Sequence, residues 1–391
     1  MGATSGKVEI VNTQDVIPFT KPYLTGKEND YVTNAINRLE LVGDGPNTQL
    51  VEALISRYSG GVNSLFTPSC TDALDLAGML INLEPGDEVI IPGFTFTSTA
   101  TAFTQRNAKV VFADINPQTL NIDPAHAESL ITERTRAISM VHYAGIACDI
   151  DTILEVASRH NLKVIEDNAH GFGGTYKNSP LGSFGDMATL SFHGTKNIQC
   201  GEGGAFLTRD QELADRAHIL REKGTNRRAF LDGVVDKYTW VDQGSSFLAP
   251  DYVAAFLLAQ LEEYDSIQAK RKHIWDTYAT ELKGWADEIG ANLPTVPDYA
   301  NHTSHLFWIT FANPLERTNF MDFLKTNGIL STFHYQSLST SPAGKQFGRT
   351  DGTPVSDIVA QTLVRLPIFA EMTSAQLDKI IATVKAWKSE L

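Results

Sequence analysis

Between about residue 60 and residue 210 the chain alternates short, unbroken apolar runs with amphipathic segments, which restricts the fold more than any other feature. Six runs read as strands: Glu88–Pro92, Lys109–Ala113, Ala137–Val141, Leu162–Glu166, Ala188–Phe192 and Gly204–Thr208. The spacing of apolar residues predicts helices over Asp72–Ile81 and Asp151–His160. Strands with no polar face need cover on both sides, and the intervening helices supply it. The expected class is therefore α/β with a mainly parallel sheet. In such folds ligands sit beyond the carboxyl ends of the strands.

From Asp251 the texture changes. A helical pattern runs through Ala254, Leu258, Leu261 and Tyr264 towards Trp275 and Tyr278. A strand over His305–Ile309, a helix over Arg317–Asn327, a strand over Leu330–His334 and a last helix over Ser374–Lys388 follow. The expectation is a large α/β domain over 17–250 and a smaller α+β domain over 251–391. A chain of 391 residues, 42% hydrophobic, has enough apolar material for both cores.

A net charge of −14 argues against general nucleic-acid binding, which needs clustered basic charge. It leaves room for an anionic ligand held by a few local Arg and Lys residues. Cys70, Cys148 and Cys200 form neither a disulfide framework nor a metal motif, so no metal is expected and a reducing cytoplasm fits. Residues Met1–Gly6 carry no apolar signal core and are expected to be partly disordered, and no run is long enough to span a bilayer.

Asp167 ends a buried strand within Val164-Ile165-Glu166-Asp167-Asn168-Ala169-His170, and Lys196 follows within Ser191-Phe192-His193-Gly194-Thr195-Lys196. Pyridoxal-phosphate enzymes need such a pair. The lysine amine forms a Schiff base with the cofactor aldehyde, and the carboxylate keeps a proton on the pyridine nitrogen so that the ring accepts electrons. Taken alone, Asp167 reads equally as a helix cap or turn residue, and His170 as a packed histidine or a neighbour of the cofactor's phenolic oxygen. A lysine in a mostly dry pocket has a lowered pKa and becomes a usable nucleophile and base. The glycines Gly201, Gly203 and Gly204 allow close backbone approach or a simple hairpin.

The segment Thr67-Pro68-Ser69-Cys70-Thr71-Asp72 sets small hydroxyl residues at a helix start, where free amides and the helix dipole favour a phosphate. A plain helix cap is the alternative. Ser191 could add a hydroxyl from the opposite side, and Phe96 could stack on the pyridine ring or simply fill the core. No Gly-x-Gly-x-x-Gly lies between an opening strand and helix, which argues against a dinucleotide dehydrogenase.

With these residues in place, the chain resembles the DegT/DnrJ/EryC1/StrS sugar aminotransferases, a branch of the fold-type I pyridoxal-phosphate enzymes, from Ile17-Pro18-Phe19 to the last helix. The markers are Pro92-Gly93-Phe94-Thr95-Phe96, Glu166 to His170, Ser191 to Asn197, Arg221 to Arg227 and Arg365-Leu366-Pro367. Val141 to Gly145, Val235 to Trp240 and Phe333-His334-Tyr335 are most similar to transaminases forming dTDP-4-amino-4,6-dideoxygalactose. The resemblance implies a seven-stranded sheet in the large domain and a homodimer with shared active sites. It implies that Lys196 bonds to the cofactor, that Asp167 pairs with the ring nitrogen and that Phe96 stacks. Ser69, Cys70, Thr71, His170 and Ser191 complete the implied cofactor contacts; Gly43, Asp44, Lys223, Asn226, Arg227, His334 and Tyr335 are the implied nucleotide-sugar contacts. Gly244 to Leu248 lacks the phosphate-binding asparagine common in relatives, and Gln336-Ser337-Leu338-Ser339 replaces their usual Pro-Leu-His pattern.

The implied reaction moves an amino group from L-glutamate to a nucleotide-linked 4-keto-6-deoxy sugar, with dTDP-4-dehydro-6-deoxy-D-glucose as the expected acceptor. A 3-keto sugar aminotransferase, a sugar dehydratase of the same fold and a non-catalytic binding homologue are the alternatives. Dehydratase relatives carry histidine at the position of Lys196, so this chain's lysine favours transamination.

Overall fold

The structure, a computed structural model, describes residues 16–388. The expectation for Met1–Gly6 lies outside the described residues.

The central sheet has eight strands: β1 (Asn63–Thr67), β2 (Glu88–Pro92), β3 (Lys109–Ala113), β4 (Thr135–Val141), β5 (Lys163–Asp167), β6 (Met187–Ser191), β7 (Gly204–Thr208) and β8 (Gly348–Arg349). Their order is β1-β7-β6-β5-β4-β2-β3-β8. All neighbours run parallel except β7, which is antiparallel to both β1 and β6. Seven strands match the expected number. The eighth is a two-residue addition from the C-terminal part of the chain, paired with Val110 and Val111 of β3. The interior strands are buried almost throughout, as unbroken apolar runs require.

One core lies between the sheet and helices Cys70–Leu80 and Gln211–Arg221, with Leu74, Ala77, Phe103, Phe206 and Leu220 at its centre. On the opposite face, Ile138, Met140, Ile153 and Val156 pack beneath helix Ile150–His160. A separate aromatic core gathers Tyr278, Trp285, Phe307, Phe320 and Trp387 around the antiparallel pair Phe307–Thr310 and Leu363–Leu366.

Two expectations for the C-terminal part need correction. The helical pattern beginning at Asp251 is two helices, Asp251–Glu262 and Tyr264–Ile289, broken at Glu263, whose ψ of 14° leaves the helical range. The first belongs with the N-terminal helices: Leu257, Leu258 and Leu261 share a core with Val51 and Ile55. The expected strand over Leu330–His334 does not form either. Only isolated bridges, Ile17 to Ile329 and Thr332 to Arg365, occur there. The backbone then turns through Tyr335 at φ 46°, a left-handed conformation that ends any extended run. Among the described residues, no helix is long and apolar enough to cross a membrane.

Candidate active site

The carboxyl ends of β1, β2, β4, β5 and β6 open towards one cavity of about 820 Å³. Ser69, Cys70, Thr71, Phe96, Asp167, His170, Ser191, Lys196, His334 and Tyr335 all line it. Ten of the residues singled out from the sequence are thus brought together by the topology.

At one end β1 delivers the chain to helix Cys70–Leu80. Ser69 is its N-cap, its hydroxyl accepting from the Asp72 amide at 3.1 Å. Among the described residues, the Cys70 and Thr71 amides have no acceptor, as the first turn of a helix leaves them. Gly204, the first residue of β7, lies against this turn. A Cβ there would sit 2.4 Å from the Cys70 nitrogen and 2.4 Å from the Ser69 carbonyl carbon. The Thr71 hydroxyl is 2.8 Å from that of Ser98, and Ser191 closes the other side. Free amides, small hydroxyls and a backbone approach reserved for glycine form an anion cradle.

Asp167, 4% exposed, ends β5 between Val141 of β4 and Thr189 of β6. Its Oδ2 accepts from the Thr99 hydroxyl at 2.7 Å and its Oδ1 from the Ala169 amide at 3.2 Å. Burial raises its pKa, against the pull of these donors and of Lys196. A cationic N–H facing it would restore the charged form.

Lys196 sits on the hairpin joining β6 to β7, closed by Phe192 N to Gly203 O and Gly194 N to Gly201 O, each 2.8 Å. The glycine cluster therefore serves as both hairpin and cradle: Gly201 turns at φ 80° while Gly204 meets the helix. Buried Phe192 anchors the hairpin, and the Lys196 amide donates to the His193 carbonyl at 2.8 Å. Burial lowers the Lys196 pKa to about 8, although Cys70 and Asp167 favour its charge. Phe96, more than half exposed on the cavity wall, offers its ring to the same space.

The opposite wall is aromatic. The Ala144 amide donates to His170 Nδ1 at 3.3 Å, which leaves the ring proton on Nε2, 3.3 Å from the Tyr335 oxygen. His334 Nδ1 lies 2.7 Å from the Tyr143 hydroxyl, and the His334 and Tyr335 rings stack at 3.6 Å. Burial holds His170 and His334 well below the usual histidine pKa, so both are neutral near pH 7.

Gly43, Asp44, Lys223, Asn226 and Arg227 do not line this cavity. They form a second, ordered group. Asp44 pairs with buried Arg221, which also reaches Glu52 at 2.9 Å and the Phe66 carbonyl at 3.0 Å. The Lys223 amide donates to the Ser245 carbonyl at 2.9 Å, and Arg227 pairs with Glu222 at 2.8 Å. Asn226 precedes the short helix Arg227–Leu231 and accepts from the Thr239 amide.

Sequence reasoning missed Thr99, Tyr143, Arg271 and His305. Thr99 stands three residues beyond Phe96, one helical turn on, which is the signal that could have flagged it. Tyr143 lies within the Val141 to Gly145 marker, which gave it no role; Arg271 and His305 are supplied by distant segments, and no local pattern marks them.

Known proteins share this fold. The sequence profile of the DegT/DnrJ/EryC1/StrS aminotransferase family matches residues 22–385. The chain is 34% identical over 375 residues to a GDP-perosamine synthase of Caulobacter vibrioides, covering 94% of this chain and 97% of that protein. It is 34% identical over 380 residues to the spore coat polysaccharide biosynthesis protein SpsC of Bacillus subtilis, covering 94% and 96%. The structure of Spr1654 from Streptococcus pneumoniae, described as a putative sugar aminotransferase in its PMP-form, superposes with a TM-score of 0.87 at 28% identity, covering 94% and 98%.

Proposed function

The chain belongs to the DegT/DnrJ/EryC1/StrS aminotransferase family, and from that premise we propose that it transfers the amino group of L-glutamate to a nucleotide-linked 4-keto-6-deoxy sugar. Members of this family depend on pyridoxal 5′-phosphate, and the residues present fit it. Cys70 and Thr71 amides with the Ser191 hydroxyl suit its phosphate, Asp167 its ring nitrogen and Lys196 its aldehyde. When bound, it supplies an aldehyde that takes up an amino group and a ring that draws electrons from the carbon bearing that group.

The protein's own groups do the rest. Asp167, fixed by Thr99 and Ala169, holds a proton at the ring nitrogen. Lys196, with its pKa near 8, has a substantial neutral fraction at working pH and can both attack and carry a proton between the two carbons that flank the transferred nitrogen. Neutral His170, His334 and Tyr335 offer hydrogen bonds suited to an uncharged sugar without adding charge beside it.

The observation that carries the reading is one cavity holding a depressed lysine, a buried carboxylate and an anion cradle. The close similarity of Phe333-His334-Tyr335 and Val141 to Gly145 to transaminases forming dTDP-4-amino-4,6-dideoxygalactose supports the dTDP-linked 4-keto acceptor. Similarity to a GDP-perosamine synthase favours a second reading, in which the nucleotide is GDP. Incubation of the cofactor-loaded protein with L-glutamate and dTDP-4-dehydro-6-deoxy-D-glucose, or its GDP-linked counterpart, decides between them. NMR of the product should show an amino group at C4, with ring-proton couplings giving its stereochemistry. No amino sugar from either acceptor would overturn the reading.

We further propose a homodimer that shares its sites. The second residue group, away from the cavity, lies among exposed apolar side chains such as Val42, Val234 and Trp240. Another copy would cover these and bring Gly43, Asp44, Lys223, Asn226 and Arg227 to a neighbouring cavity.

A further inference from the structure

Lys196 stands where two kinds of restraint meet. On its N-terminal side they are local: His193 and Thr195 are exposed, and His193 Nδ1 lies 2.9 Å from the Thr195 hydroxyl. On its other side they come from the C-terminal part of the chain. The Asn197 side chain makes three hydrogen bonds there. Its Nδ2 donates to Gln268 Oε1 at 2.9 Å and to the Thr303 carbonyl at 2.8 Å, and its Oδ1 lies 2.9 Å from His305 Nδ1. Gln268 Nε2 also donates to the Thr303 carbonyl, at 3.2 Å.

A carbonyl oxygen can only accept, and this one fixes the polarity of the whole cluster. Both amides turn their nitrogens to Thr303, so the Asn197 oxygen faces His305, and the His305 ring carries its proton on Nδ1. The partners are themselves held. Arg271, one turn beyond Gln268 on helix Tyr264–Ile289, donates to the His305 carbonyl at 2.5 Å. The Thr303 hydroxyl donates to the His170 carbonyl at 2.7 Å. Asn197, Gln268 and Thr303 stand outside the cavity lining, so their bonds serve no ligand directly. Nor does the hairpin need them to close, because the backbone bonds of Phe192 with Gly203 and Gly194 with Gly201 already do that. What the cluster adds is placement of the residue next to Lys196.

We propose that Asn197 is a positioning residue for Lys196, a clamp that hangs the lysine's hairpin on helix Tyr264–Ile289 and residues 303–305. A lysine that carries a proton between two carbons must keep both within reach, and small displacements of such a group are costly in rate. The kinetic consequence rests on the transamination reading; the clamp itself does not.

The test has two arms. In the cofactor-free protein, acylation of Lys196 by acetic anhydride is followed against pH by mass spectrometry of its peptide. The wild-type midpoint should lie at the depressed value of about 8. Asn197→Ala and His305→Gln release the clamp, admit water to the amine and should raise the midpoint towards the ~10.4 of a free lysine. His305→Asn should stay near wild type in this arm, because an asparagine nitrogen falls where Nδ1 stood and still donates to Asn197. In the cofactor-loaded protein, the two half-reactions with L-glutamate and with the keto sugar are followed by cofactor absorbance and normalised to bound cofactor, so that unfolded chains do not count. Because Lys196 serves both, Asn197→Ala should lower kcat of each by the same factor, roughly 10- to 100-fold for a displacement of about 1 Å. Both KM values should stay near wild type. Gln268→Leu, which removes one of the three bonds, should show a smaller loss of the same kind. An unmoved midpoint in Asn197→Ala, or His305→Asn shifting as far as His305→Gln, would overturn the clamp, as would a loss confined to one half-reaction. If the wild type accepts no amino group from any donor, transamination falls, and the first arm still decides the clamp.

Discussion

Thr99 donates its hydroxyl proton to Oδ2 of Asp167 across 2.7 Å, and Thr95, 3.0 Å behind it, completes a short relay of hydroxyls. Because Thr99 gives its proton to the carboxylate, its oxygen accepts from Thr95, and the file of donors points at one buried charge. Burial already pushes the Asp167 pKa up, and losing this donor would push it further. Thr99→Val should therefore weaken cofactor binding by about tenfold, consistent with the loss of a charge-assisted hydrogen bond of ~1.5 kcal/mol. Titration of the cofactor-free protein, read by cofactor absorbance, checks this. An affinity equal to wild type would remove Thr99 from the site.

Lys196 gives a stability signature as well as an activity one. Its pKa in the folded, cofactor-free protein is about 8, against ~10.4 in an unfolded chain. Between those values the unfolded state binds the extra proton, so stability rises with pH through the window. Below it, the buried ammonium costs about 3 kcal/mol. Cofactor-free Lys196→Met should consequently be more stable than wild type at pH 7, and the gap should close towards pH 10. Thermal melts across that range test the sign, and the same variant should lose at least ~100-fold in turnover.

Much of this was legible in the chain because the relevant signals are local. Strands β2, β3 and β7 coincide with Glu88–Pro92, Lys109–Ala113 and Gly204–Thr208, since each is an apolar run bounded by turn residues. β1 escaped notice because Asn63, Ser64 and Thr67 dilute its apolar pattern, and only pairing with β7 makes it a strand. The Leu330–His334 run has strand-like composition, but Tyr335 at φ 46° turns the backbone to present two aromatic rings to the cavity. That is a tertiary demand that composition does not record. Asp167 and Lys196 could be read as a pair because both sit on the β5-to-β7 stretch. Arg271 and His305 could not, because what they touch comes from elsewhere.

Gly204 tests the cradle. A methyl group there would meet the backbone at Ser69 and Cys70 at 2.4 Å, and neither atom belongs to a flexible side chain. Gly204→Ala must therefore displace the helix start or strand β7. We expect a loss of roughly 1–3 kcal/mol in stability. Cofactor affinity should fall by more than that of a control alanine at exposed Gly284, a helical position where nothing lies within 4 Å. Chemical denaturation and cofactor titration measure the two effects separately.

Glu166, one residue before Asp167, is a buried carboxylate that faces away from the cavity chemistry. It accepts from His142 Nε2 at 2.9 Å and from the amides of Gly182, Phe184 and Gly185 at 2.8, 2.7 and 2.8 Å. The Cys148 amide donates to His142 Nδ1, so the ring proton lies on Nε2 and points to Glu166. Burial disfavours the charge, yet these donors hold the Glu166 pKa below the usual range. Its contribution is thus present above the unfolded pKa of ~4.3 and is lost as pH falls through the lower folded value. Glu166→Ala strands four donors and should destabilise by about 3–5 kcal/mol. It should also flatten the acid limb of the stability profile, which denaturant melts between pH 3 and 6 at ~0.5-unit steps would show.

The shared-site dimer makes a prediction that no single-chain arrangement can reproduce. Lys196 lines the cavity, whereas Arg227 lies with the second residue group, held by Glu222 and outside that cavity. If a partner supplies Arg227 to the Lys196 cavity, each active centre draws on two chains. A Lys196→Ala protein and an Arg227→Ala protein should then each be nearly inactive alone. After mixing and reassembly, random pairing makes half of the dimers mixed. Each mixed dimer pairs one doubly damaged centre with one intact centre, so activity should recover to about a quarter of wild type. Sites complete within one chain would give no recovery at all, because every chain in the mixture carries one defect. Sedimentation of the unmixed proteins as dimers, together with that recovered fraction, distinguishes the two arrangements.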